Sequence, residues 1–159
     1  MSESIFSAFV QAIRKPLVKS VLWPDDIALD HPLRKLDFGV RYWPVGVVEW
    51  LNKQELTEDG KWKDATTHDV AMVAGLATEE GESLFASEWP AVWEAHCKDK
   101  DIEPDRDENR VIVPPPINYP IVAAWYMKTF DDAQSKTINF ILWKQVMTYN
   151  GFTLTEGKN

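Results

Sequence analysis

The sequence predicts a mainly α fold: one compact domain, residues 1–159, of five or six helices with a long charged, proline-rich loop at about 98–118. Three observations predict it. Apolar residues recur at helical spacing in several windows along the chain. Prolines and capping residues stand where those windows begin. Strict apolar–polar alternation is scarce outside Arg110–Val113. A chain of 159 residues suits one domain. It can bury roughly two-thirds of its unfolded surface, so its core needs neither disulfide nor metal.

Each element has its own signal. In 3–14, Ile5, Phe6, Phe9, Val10 and Ile13 share one helical face, with Ser2 or Ser4 as cap and Pro16 as terminator. Residues 20–41, broken by Pro24, Pro32 and Gly39, read as loop with one helical turn near Asp25–Leu29. Pro44 suits the first position of a helix reaching about Lys53, and Trp43 is placed to fold onto Val47. Asp59–Gly60 punctuates a turn. Thr66 and Asp69 have the spacing of a capping box for a helix at about 67–77. Ser87 is the expected cap of a helix over 88–98, with Pro90 in its tolerant first turn.

Pro114–Pro116 should hold an extended polyproline conformation. Pro120 then opens a helix containing Ile121, Val122, Ala124, Trp125 and Met127. Asp131 and Gln134 cap the last helix, and Gly151 supplies a left-handed stop with Phe152 closing on Met147. That helix has two apolar stripes: Ile138, Ile141, Leu142, Val146 and Tyr149, then Phe140, Trp143 and Met147. Such a helix is central to the core or packs on a partner, so a homodimer would use it. The aromatic–proline pairs at Trp23, Trp43, Trp89 and Tyr119 are too irregularly spaced for a tandem repeat and read as helix-entry signals.

Charge is unevenly placed. The chain carries 17 basic and 25 acidic residues, a net charge of −8. Residues 64–97 hold seven acids and no Lys or Arg, while the remainder is nearly balanced. An acidic balance disfavours nucleic acid and anionic membrane surfaces. A local negative field instead steers a basic protein partner. Glu79, Glu80, Glu82 and Glu88, with Trp89 and Trp93 among them, are therefore the candidate contact residues. The expected function is a non-enzymatic interaction protein that neutralises or chaperones a basic partner. Immunity proteins, anti-defence inhibitors, DNA mimics and assembly factors are of this kind.

No catalytic residue, metal site or cofactor is assigned. Cys97 has His96 beside it in sequence, but helical neighbours diverge by about 100° and a small partly buried thiol is the plainer reading. There is no glycine-rich phosphate loop and no nucleophile elbow. One constellation offers an alternative. His31, the pair His68–Asp69, and Asp131 stand in an order that resembles the ligands of the HD-domain metal-dependent phosphohydrolases. The resemblance implies water activation by a metal held on these four residues. Two departures weigh against it: the pair opens its helix instead of closing an apolar one, and His31 precedes Pro32 in a predicted loop.

The single cysteine and the absence of a secretory signal or long apolar run point to a cytoplasmic protein. Small size and the lack of a targeting segment fit a bacterial or phage origin.

Overall fold

A computed structural model describes residues 4–14 and 17–152. Six α-helices and a small sheet account for its regular structure: α1 Ile5–Arg14, β1 Val18–Ser20, β2 Phe38–Arg41, α2 Val45–Asn52, α3 Ala65–Ala74, β3 Leu76–Thr78, α4 Trp89–Lys100, α5 Tyr119–Thr129 and α6 Ala133–Tyr149. The mainly helical class is as the sequence predicts. The sheet is a correction. Its strands pair antiparallel in the order β1-β2-β3, with Lys19 opposite Val40 and Val40 opposite Leu76. Strands of three or four residues are too short to show alternation. The β-branched run Val111–Val113 forms no strand, only an isolated bridge from Ile112 to Arg106.

The core sits where α3 packs on α5 and α6, with β2 against α6 and α2 against α3. Met72, Val73, Leu76, Val122 and Val146 are among its fully buried side chains. On α6, Leu142, Val146 and Met147 are buried, Trp143 is half-buried and Phe140 is exposed, so this helix is central to the core. Amphipathic α1 is different. Ile5, Phe6, Phe9 and Ile13 remain exposed, outside the core cluster.

Several caps fall one or two residues from their expected places. Ser4 does cap α1, its hydroxyl oxygen accepting from the Ser7 N–H at 3.0 Å; Ser2 and Pro16 lie outside the described residues. Asp64, not Thr66, caps α3: its carboxylate accepts from the Thr66 N–H (2.9 Å) and hydroxyl (2.8 Å). Asp132, not Asp131, caps α6, accepting from the Ser135 N–H at 2.8 Å. Glu88, not Ser87, is the N-cap of α4, and its side chain makes no capping bond. Pro44 precedes α2 as its N-cap. Near residue 25 there is only a turn, and the helical turn of this region is the 3-10 segment Pro32–Lys35. The end of α6 is as expected: Gly151 has φ 91° and the Phe152 N–H donates to the Met147 carbonyl at 2.9 Å.

Three of the four aromatic–proline pairs do stand at helix entries, those of α2, α4 and α5. Between α4 and α5, residues 102–118 contain no helix or strand. Asp107 organises part of this stretch, its carboxylate accepting from the Asn109 and Val111 N–H groups.

Candidate functional site

Glu79, Glu80 and Glu82 are carried by a hairpin that follows β3, and Glu88 stands at the N-cap of α4. The Gly81 N–H donates to the Thr78 carbonyl at 2.9 Å, and the Thr78 N–H donates to the Glu82 carbonyl at 2.8 Å. Gly81 has φ 87°, a left-handed conformation that this three-residue loop requires and glycine adopts without strain. The chain therefore turns through Glu79 and Glu80, which form the tip. Ala77 bridges to Ser83 on the return. From beneath, Arg41 of β2 donates to the carbonyls of Gly81 (2.9 Å) and Ala74 (3.2 Å) and to the Tyr119 hydroxyl (2.8 Å). One guanidinium thus ties the acidic turn to the end of α3 and the start of α5.

Glu79, Glu80, Glu82 and Glu88 are all exposed. Among the described residues none of the four is in an ion pair. The tryptophans are placed differently. Trp89 is 5% exposed and its indole N–H donates to the Pro115 carbonyl at 2.7 Å. It is a core side chain and offers no contact surface, which corrects its place among the candidate contact residues. Trp93 is half-buried, its ring 5.7 Å from that of Trp89 and 5.6 Å from that of His96. The hairpin thus gathers carboxylates without an aromatic anchor at its centre.

A second feature is a cleft of about 350 Å³ where α3, α5 and α6 meet, lined by His68, Asp69, Met72, Met127, Asn139, Phe140 and Trp143. The imidazole of His68 lies edge-on between the indoles of Trp62 (5.1 Å) and Trp143 (5.5 Å). Burial holds its pKa below the ordinary 6.5, so the ring is neutral at pH 7. Burial raises the Asp69 carboxyl above its ordinary range, and nearby Asp64 adds to the rise. Asn139 accepts from the Tyr126 hydroxyl at 2.7 Å, and burial pushes that phenol up to about 12.

Apart from His68 and Asp69, sequence reasoning missed this cleft. A signal was present: Asn139 interrupts the apolar face of α6 and lies one turn before Trp143.

The four residues of the phosphohydrolase resemblance do not form one site. His31 caps the 3-10 turn, its Nδ1 accepting from the Leu33 N–H at 3.2 Å. Asp131 is exposed ahead of α6. Among the described residues no group of three or more His, Cys, Asp or Glu could hold a metal ion. Cys97 is buried, and its thiol pKa is raised by burial and then by Glu103, which keeps it protonated at neutral pH.

His68 makes a pH prediction. Its folded pKa lies below the unfolded value of 6.5, so the unfolded chain takes up a proton first as pH falls. The stability tied to neutral His68 is present above pH 6.5 and lost as pH drops below it towards the folded pKa. Asp69 acts oppositely and lower: its raised pKa makes the ionised form a cost that acid relieves. We expect the melting temperature to fall as pH drops below 6.5, and His68→Phe to flatten that slope. Equal slopes for both proteins would show that His68 titrates freely in the fold.

The fold and the acidic hairpin together define a mainly helical domain with a small antiparallel sheet. No helix among the described residues is long and apolar enough to cross a membrane. Compared with known proteins, the chain matches no family model, no curated protein and no solved structure.

Proposed function

We propose that this is a non-enzymatic, cytoplasmic interaction protein that binds a protein with a basic surface and neutralises or chaperones it. The observation that supports this reading is the hairpin presenting Glu79 and Glu80 at its tip, with Glu82 and Glu88 exposed nearby and no ion pair on any of them among the described residues. A turn fixed by backbone bonds and by Arg41 loses little freedom on binding, which favours affinity. Unpaired carboxylates on one turn accelerate encounter with a basic surface and disfavour acidic partners. With Trp89 in the core, the contact is electrostatic at its centre, and Trp93 is the aromatic residue left to flank it. A homodimer through α6 would use Phe140, the large apolar side chain that this helix leaves exposed.

The test is charge reversal at Glu79, Glu80 and Glu82. Tagged protein is used to retain partners from native host lysate at low salt. We expect a basic protein to be retained by the wild type, with affinity reduced about tenfold or more in the triple Lys variant. The variant should keep its free energy of unfolding within about 0.5 kcal/mol of the wild type, as exposed positions do. Equal retention by both proteins at low salt would overturn the assignment of the surface.

A further inference from the structure

A cleft separate from the acidic hairpin lies between α3, α5 and α6. Its volume of about 350 Å³ falls in the range of pockets that take a small organic molecule. Two thioethers, of Met72 and Met127, and two aromatic rings, of Phe140 and Trp143, make most of its wall. Asp69 is its charged residue, and no Lys or Arg lines it. Asp64 lies close enough to Asp69 to raise its pKa, so the local field is negative. Two polar atoms of lining residues, His68 Nδ1 and Trp143 Nε1, are buried with no hydrogen-bond partner among the described residues. Both atoms are closed off from solvent, so the groups a ligand in the cleft meets are the Asp69 carboxylate, the aromatic rings and the thioethers.

We propose that this cleft binds a small organic cation, an amine carried on a ring-sized apolar body. Each part of the wall recognises one part of such a ligand. The Asp69 carboxylate accepts from the ammonium. Aromatic faces attract a cation through their quadrupole, most strongly where water is excluded. Thioethers pack on the apolar body and adapt to its outline. An anionic ligand would meet Asp69 with like charge, and a purely apolar one would leave the carboxylate desolvated without a partner.

The probe is benzylamine, with benzyl alcohol and benzoate as the neutral and anionic counterparts of similar size. Binding is read on the whole protein from the indole N–H resonance of Trp143, assigned by its loss in Trp143→Phe. We expect saturable shifts with benzylamine at about 1 mM, an affinity suited to a ligand this small. Benzyl alcohol should bind about tenfold more weakly, and benzoate not at all. Asp69→Asn should weaken benzylamine about tenfold and leave benzyl alcohol unchanged. No saturable shift with benzylamine up to about 10 mM would overturn the proposal, as would equal binding of the amine and the alcohol to the wild type. The second comparison needs no variant, so it stands even if Asp69→Asn folds poorly. Charge reversal at the hairpin should leave benzylamine binding unchanged, which separates this cleft from the protein-binding surface.

Discussion

Trp43→Ala is expected to lower the free energy of unfolding by about 3–5 kcal/mol. Trp43 is 9% exposed and packs in the core cluster with Val47, Val70 and Val146. Its indole N–H donates to the Ala71 carbonyl at 2.8 Å, and its backbone N–H donates to the Asn150 side chain at 2.9 Å. One residue thus joins the entry of α2 to the middle of α3 and the end of α6. Truncation removes the buried ring, leaves a cavity and deprives the Ala71 carbonyl of its indole partner. Trp43→Phe keeps much of the buried area and loses the indole N–H, so it should cost less. Urea unfolding measures both. A loss below about 1 kcal/mol for Trp43→Ala would mean that the site collapses onto the gap.

Gly75→Ala is the second large effect, and its sign is set by competition. Replacing glycine with alanine at a compatible position usually stabilises by about 0.4–1 kcal/mol, because the unfolded chain loses freedom. Gly75 has φ −92°, so the backbone would accept alanine. Space would not. An added Cβ would stand 2.3 Å from Val146 Cγ1, and Val146 is 0% exposed. Overpacking of a core costs about 1–3 kcal/mol, which exceeds the entropic gain. We expect a net loss for Gly75→Ala, a separate loss for Val146→Ala from the cavity it leaves, and a double variant better than the sum of the two. Additive losses would show that α6 moves away freely.

These two positions show what a reader of the sequence can and cannot see. Trp43 was legible as a helix-entry residue, because a proline follows it and a valine stands four residues on. Gly75 was not, because its constraint comes from Val146, seventy-one residues away in the chain. The stop of α6 was legible because Gly151 and Phe152 act locally, through the bond from Phe152 to Met147. Caps shifted where two capping residues stand close together: Asp131 and Asp132 are adjacent, and the one that reaches the Ser135 N–H is settled by geometry. The sheet was invisible because its strands are very short and pair across long intervals, β2 with β3 and β1.

The candidate surface divides in the same way. Glu79, Glu80, Glu82 and Glu88 were readable as exposed from composition, since clustered carboxylates without cations avoid burial. The placing of Glu79 and Glu80 on a hairpin tip was not, because it depends on β3 and on Arg41 from a distant strand. Trp89 was misplaced: a tryptophan among glutamates fits a contact residue or a core residue equally, and only the bond to Pro115 decides it. The cleft draws its wall from three helices, so only its His68–Asp69 edge stood out in one dimension.

The most direct measurement of the central claim is the affinity for the retained basic partner as a function of salt, for the wild type and for the Glu79→Gln, Glu80→Gln, Glu82→Gln variant. Exposed charges are screened within about 8 Å at physiological ionic strength. The account predicts that wild-type affinity falls steeply as salt rises, and that the variant starts weaker and falls along a shallower slope. A wild-type affinity that does not change with salt, or a variant with the same slope, would contradict it.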